Sequence, residues 1–395
     1  MSVDNKVPEI RFKGFGGEWK TSELSGLALF NPKAELPENF KYVDLESVKG
    51  TSLIGYKIES IDTAPSRAQR LAQKGDVFYQ TVRPYQKNNY LFHSVEVDYV
   101  FSTGYAQLRP YFNDNFLLNL VQRDSFVKDV LNNCTGTSYP AINASTLATL
   151  GVSYPKSEAE QTRIGNYFQK LDELINQHQQ KHDKLNSIKK AMLEKMFPKQ
   201  GETMPEIRFK GFTGEWKTSK LSELALFNPK AELPESFKYV DLESVKGTSL
   251  IGYKVESRDS APSRAQRLAQ KGDVFYQTVR PYQKNNYLFD SVENDYVFST
   301  GYAQLRPYFN GNFLLNVFQR DSFIKNVLYN CTGTSYPAIN ASTLATLEVS
   351  YPKSEAEQTQ IGNYFQKLDA LINQHQQQIT KLNNIKQACL SKMFV

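Results

Sequence analysis

Residues 157–197 read SEAEQTRIGNYFQKLDELINQHQQKHDKLNSIKKAMLEKMF. Ser157 followed three residues later by Glu160 is the signature of a capping box at a helix start. The run beyond it is poor in glycine and proline, which predicts one helix of about 40 residues, roughly 60 Å at 1.5 Å per residue. Its apolar positions Ile164, Phe168, Leu171, Ile175, Leu185, Met192 and Met196 advance in alternating steps of four and three, with His178, His182 and Lys189 filling the other slots of the stripe. A lone helix with such a stripe needs a partner to bury it.

That partner lies in the same chain. Residues 8–197 match residues 205–394 without insertion or deletion, an offset of 205 − 8 = 197. Residues 40–56, 64–92 and 134–150 recur unchanged at 237–253, 261–289 and 331–347. The helical stripe recurs as Ile361, Phe365, Leu368, Ile372, Ile379, Leu382, Cys389 and Met393. A period this long is not a solenoid repeat, because one unit can bury a core by itself. The expected organisation is a first globular domain (1–156), a first long helix (157–198), a linker (199–204), a second globular domain (205–353) and a second long helix (354–395).

Within each copy, short aromatic and β-branched runs such as residues 76–80 (DVFYQ) are punctuated by Gly75, Pro84 and Gly104, which predicts a strand-rich mixed domain. The first helix carries the chain away from its own domain, and the linker is short. The second helix can therefore reach the first only by running back along it. The expected fold class is α+β: two strand-rich domains joined by two long antiparallel coiled-coil helices, a pseudo-twofold dumbbell. Met204 opens the second copy as an initiator would, so residues 204–395 alone are a candidate for pairing through their helices into a homodimer.

Composition sets outer bounds. With 395 residues, 40% of them hydrophobic, the chain can bury two sizeable cores. Three cysteines, of which Cys134 and Cys331 are one position in two copies, imply no disulfide framework. No apolar run reaches membrane-spanning length and the N-terminal residues are polar, so a soluble, cytoplasmic protein without a membrane partner is expected. A net charge of +6 permits a polyanionic partner without naming one.

The distribution of charge says more. Arg67, Arg70, Lys74, Arg83 and Lys87 stand against a single Asp76, and Arg264, Arg267, Lys271, Arg280 and Lys284 against Asp273. Among them lie Gln69, Gln80, Tyr85, Gln86, Asn88 and Asn89, and in the second copy Tyr282, Gln283, Asn285 and Asn286. Cations contact phosphates, while amides and aromatics can also meet base edges. A second loop contributes Thr137, Ser138 and Tyr139, and again Thr334, Ser335 and Tyr336, small and hydroxyl-rich residues able to approach a phosphate. A solvated surface loop and a plain turn are the competing readings of these segments. Two copies of one head related by a twofold match the symmetry of an inverted DNA repeat, and few other ligands have that symmetry.

The order of domain, long helix, domain and long helix resembles the specificity subunits of Type I restriction-modification systems, over essentially the whole chain. Local motifs agree in both copies: residues 8–19 (PEIRFKGFGGEW) and 205–216 (PEIRFKGFTGEW) resemble that family's opening, and residues 75–83, 102–110 and 157–164 resemble its later signatures. The resemblance implies a non-catalytic subunit that reads a bipartite site on double-stranded DNA and holds two adenine methyltransferase subunits, with restriction subunits completing the nuclease. It also implies that this chain binds no cofactor, and that S-adenosylmethionine, ATP and Mg are bound by the partner subunits. Near-identity of the two copies departs from the family's usual dissimilar domains and implies a palindromic, interrupted target. Substitutions such as Ile61 to Arg258 and His93 to Asp290 leave room for unequal halves.

A non-catalytic subunit should lack complete catalytic motifs. Residues 12–16 (FKGFG) match an adenosylmethionine-loop pattern, but the second copy reads FKGFT. Asn31-Pro32-Lys33 departs from an adenine-methylation motif at its third residue, and no glycine-rich stretch ends in Gly-Lys-Ser or Gly-Lys-Thr. Asp44, Glu46 and Lys49 have the wrong spacing for a nuclease centre, and His178 with His182 becomes His375 with Ile379 in the second copy. Two further readings share this layout. One is a stand-alone symmetric repressor, disfavoured if Leu174, Tyr167, Ile188 and Leu193 form a docking surface for partners. The other is a bivalent scaffold for protein or carbohydrate, which has no need of basic, amide-rich loops.

Overall fold

The computed structural model describes residues 6–136, 138–333 and 335–395. They form two units: the described residues up to 179 with 377–395, and the described residues of 180–376.

In the first unit two four-stranded sheets share one core region. The first runs Lys57–Ser60, Asn39–Val43, Tyr99–Ser102, Ala68–Leu71, with Tyr99–Ser102 parallel to Asn39–Val43. The second runs Ala28–Phe30, Tyr105–Pro110, Val77–Gln80, Tyr90–Leu91, all antiparallel. Strands Tyr99–Ser102 and Tyr105–Pro110 are consecutive in sequence yet lie in different sheets. Gly104 stands in the turn between them, where an added Cβ would press on the Leu45 side chain at 3.0 Å.

The run DVFYQ shows why this strand is central. Every residue of Val77–Gln80 is buried, and successive side chains face opposite ways. Phe78 stacks on Phe101 at 3.6 Å in one cluster, while Val77 and Tyr79 enter the other, where Tyr79 meets Phe126 edge-on at 5.9 Å. At the strand's start, Asp76 is fully buried and accepts from Arg109 Nε and Nη2 at 2.8 and 2.9 Å, Gln107 Nε2 at 2.6 Å and Gln73 N at 2.8 Å. Asp76 therefore balances Arg109 and not the basic loops.

Helices Asp114–Gln122 and Asp124–Asn132 cover the second sheet, and Lys20–Glu23 pairs with Gly151–Tyr154 just before the long helix. That helix, Glu158–Lys195, has 38 residues, about 57 Å. Half of the expected capping box forms: Ser157 Oγ accepts from Glu160 N at 3.4 Å. The Glu160 carboxylate turns away to take Arg11 at 2.7 Å through both oxygens, which ties residues 8–19 to the helix start. Gly165 allows the helix to lie against the Asn113 cap of Asp114–Gln122, since a Cβ there would fall 2.1 Å from Asn113 Oδ1.

The second unit repeats these elements. Its sheets run Lys254–Ser257, Ser236–Val240, Tyr296–Ser299, Ala265–Leu268 and Ala225–Phe227, Tyr302–Pro307, Val274–Gln277, Tyr287–Leu288. Its long helix is Glu355–Lys392.

Each unit contains an antiparallel helix pair. In the first, Phe168 packs on Phe394 at 5.9 Å and Asp172 pairs with Lys386 at 2.5 Å, so partner numbers fall as helix numbers rise. In the second, Phe197 packs on Phe365 at 6.3 Å and Lys189 pairs with Asp369. Phe394 also meets Trp19 and Phe116 at 6.0 and 5.6 Å, and Phe197 meets Trp216 and Phe313 at 5.7 and 5.4 Å. A phenylalanine at a helix end thus completes the aromatic core of each unit. The architecture is α+β, with strand-rich domains linked by long helices.

One expectation is corrected here. Leu193 is buried in the second unit's core, Ile188 packs against that core, and Tyr167 packs on Phe12 and Phe168. Of the four side chains expected to lie off the stripe, Leu174 alone is an exposed large hydrophobic. The others turn inward because they pack on the domain as well as on the other helix.

Candidate nucleic-acid interface

The central strand ends at Gln80 and the chain enters a tight turn. Arg83 and Lys87 both adopt left-handed backbone, φ 54° in each, flanking a single 3-10 turn, Pro84–Gln86. Such a conformation costs a non-glycine residue about 1–3 kcal/mol and persists only where surroundings impose it. Here hydrogen bonds to two neighbouring segments impose it. Arg83 N donates to Pro140 O at 2.8 Å, Ile142 N to Thr81 O at 3.0 Å and Gly50 N to Asn88 Oδ1 at 2.8 Å. The 81–89 turn is thereby stitched to the loop around residue 139 and to the hairpin Val48–Lys49 with Ser52–Leu53.

These three segments make one surface. The Arg83 guanidinium lies 4.5 Å from the centre of the Tyr139 ring, a cation–π contact that holds both side chains at the rim. Tyr139 is 63% exposed and Tyr85 50%, with Gln86 and Ser138 also exposed. In the second unit Arg280 lies 4.5 Å over Tyr336, and the lining of a cleft of about 430 Å³ includes Lys246, Arg280, one carboxylate, Glu243, and Ile251, Gln277, Gln283, Asn285 and Tyr336. Tyr282 and Ser335 are exposed beside it. Lys87 also pairs with Asp124, and Lys284 with Asp321 at 2.5 Å, which anchors each turn to the following helix and offsets its charge.

Other expected residues are elsewhere. Asn89 and Asn286 are 1% exposed, with Oδ1 accepting from Gln80 N and Gln277 N at 2.8 and 2.9 Å. They are corrected from contact residues to internal braces of the turn. Lys74 and Lys271 are exposed, but each precedes the central strand, at the end opposite the turn; Lys74 shares a separate cleft with Arg109, Asn113 and Asp114. Arg67 and Arg70, like Arg264 and Arg267, belong to the edge strands Ala68–Leu71 and Ala265–Leu268 of the other sheet or directly precede them. Arg67 and Arg264 are exposed; Arg70 and Arg267 are half-buried, and burial pushes their pKa values down. Thr137 and Thr334 lie outside the described residues.

The hairpin's contribution, Lys49 with Ile54 and Lys246 with Ile251, escaped the reading of charge and amides. Residues 40–56 recur unchanged in the second copy, and that identity was the available signal. Asp44, by contrast, is a turn cap. It accepts from Ser47 Oγ at 2.8 Å and Lys57 Nζ at 2.6 Å. Burial pushes its carboxyl up, but these bonds outweigh burial and hold it below the ordinary carboxylate value.

The arrangement suits a long polyanion with readable edges: fixed cations, protruding aromatics and amides at the mouth of a cleft. Residues 64–92 and 134–150 are the same in both copies, so the two surfaces are chemically identical where they are described.

The model of the Type I restriction modification DNA specificity domain matches residues 18–187 and again 213–384. The Type I restriction enzyme HindI specificity subunit of Haemophilus influenzae is 26% identical over 168 residues, 40% of this chain and 35% of that protein's own length. The fold is similar to that of a Type-I restriction-modification system S subunit from M. genitalium, with TM-score 0.63 at 15% identity over 98% of this chain and 99% of that one. A chain from a structure of complex assembly and conformational transition of the type I R-M system gives TM-score 0.52 at 21% identity over 95% and 97%. With both halves matched in turn, this chain belongs to the Type I restriction modification DNA specificity domain family.

Proposed function

We propose that this chain is the non-catalytic specificity subunit of a Type I restriction-modification complex, reading a bipartite and palindromic interrupted site on double-stranded DNA. The observation that carries the reading is the chemical identity of two candidate surfaces on a chain whose family is that of DNA specificity domains. Lys49, Arg83 and their counterparts are suited to phosphates, and the amides and tyrosines between them to base edges. Two heads of one chemistry select one half-site twice, which on antiparallel strands is an inverted repeat.

In this reading the chain positions two adenine methyltransferase subunits and the restriction subunits. Those partners bind S-adenosylmethionine, ATP and Mg and carry out base flipping, methyl transfer and cleavage. Co-expression with the adenine methyltransferase of its own system tests the proposal. The expected result is a co-purifying complex and adenine methylation that disappears when this chain is omitted. Methylation that persists without the chain, or failure to co-purify, would contradict it.

A further inference from the structure

We propose that Gln86, and Gln283 in the second copy, reads a hydrogen-bond acceptor on a base edge, and that Gln80 and Gln277 set the direction of that reading. The inference rests on the DNA-recognition reading above and adds to it the polarity of one contact. Proton counting fixes that polarity. Gln80 is 2% exposed, and its side-chain nitrogen lies 2.6 Å from Val82 O and 2.9 Å from Gln86 Oε1. A backbone carbonyl only accepts, so the Gln80 atom facing Val82 must be the amide nitrogen. Its two protons serve Val82 and Gln86, so the Gln86 atom facing inward must be the oxygen. Gln86 is exposed, and its NH2 is the end left for an outside partner.

The same relay stands in the second unit, with Gln277 Nε2 at 2.6 Å from Val279 O and 2.9 Å from Gln283 Oε1. Gln80 Oε1 and Gln277 Oε1 have no hydrogen-bond partner among the described residues. Each inner glutamine thus spends both of its donors on the relay and leaves its own acceptor unmatched. The left-handed turn residues Arg83 and Lys87 hold the relay from both sides, as Arg280 and Lys284 do in the other copy.

A glutamine free to rotate can present either end of its amide and discriminates little. One held with its oxygen inward offers donors. In the major groove guanine presents two adjacent acceptors, O6 and N7, and thymine presents O4; adenine presents the N7 acceptor beside its N6 donor, and cytosine only the N4 donor. A locked NH2 therefore favours guanine, which can take both protons, or thymine on the contacted strand; adenine N7 is disfavoured by the neighbouring N6 donor, and cytosine offers no acceptor. A phosphate also accepts, but Arg83 and Lys49 already supply charge to the backbone, and a neutral amide adds little there.

Binding selection from random duplexes, using the full chain with its methyltransferase partner, tests this. The unaltered chain is expected to prefer guanine or thymine at one position of each half-site. The surface double variant Gln86→Glu with Gln283→Glu exchanges donors for acceptors, and preference at that position should move to cytosine or adenine by about tenfold. Gln80→Leu with Gln277→Leu should flatten the same position and leave the others unchanged. An unchanged preference in the glutamate variant, or uniform weakening over all sequences, would overturn the inference while leaving DNA recognition intact. Absence of sequence-selective binding by the unaltered chain would overturn the functional reading itself.

Discussion

Replacing Asp76 with alanine should destabilise one unit and spare the other. Asp76 is buried and takes four donors from Arg109, Gln107 and Gln73. Removing one member of a buried ion pair costs about 3–5 kcal/mol, because the partner is left without its counter-charge. The Arg109 side chain keeps 32% of its exposure and can recruit water, so the lower end, about 3 kcal/mol, applies. With a urea dependence of about 2 kcal/mol per molar, the unfolding midpoint falls by about 1.5 M. The chain supplies its own reporters, Trp19 in the first unit and Trp216 in the second. Fluorescence of Trp216→Phe follows the first unit, and Trp19→Phe the second. Asp76→Ala should lower the Trp19 midpoint and leave the Trp216 midpoint in place, where Asp273 keeps the same four bonds. A fall below about 0.3 M, or an equal fall in both reporters, would refute the reasoning.

Other outcomes follow from the same geometry. Phe197→Ala should cost the second unit about 3–5 kcal/mol and Phe394→Ala the first, each read by the tryptophan it touches. Arg83→Ala with Arg280→Ala should lessen the slope of log affinity against log salt by about 1.8, two contacts at about 0.9 each, measured by anisotropy on a selected duplex; an unchanged slope would remove both residues from the phosphates. Bonds from Lys57 and Lys254 help to hold Asp44 and Asp241 below the ordinary value near 3.8. Their contribution is present above that value and lost as pH falls through the lowered one, so urea midpoints should drop as pH is taken below about 3.8. Lys57→Met with Lys254→Met should flatten that drop.

Periodicity and repetition carried much of the fold into the sequence. The stripe from Ile164 to Met196 announced a helix needing a partner, and recurrence at a fixed offset of 197 located one. What did not show was how the helices meet their domains. Leu193 and Ile188 lie off a two-helix stripe yet pack inward, because a third body, the domain, adds a second buried face. Glu160 looked like half of a local box, but its carboxylate pairs with Arg11, 149 residues away, which no local pattern reveals. The basic loops were visible as composition, and their partition was not. Lys74 and Arg83 are nine residues apart in sequence but lie at opposite ends of one strand, and Asn89 turns inward because Gln80 N needs an acceptor. Long-range hydrogen bonds, such as Arg83 N to Pro140 O, decide which segments share a surface.

The proposed function requires that one reading head, present twice, select one half-site twice. Single-molecule sequencing of adenine methylation in cells expressing this chain with its methyltransferase tests it most directly. The expected result is methylation at an interrupted inverted repeat whose two half-sites are the same sequence on opposite strands. Two unrelated half-sites would contradict it, and would show that substitutions outside the identical surfaces set the specificity.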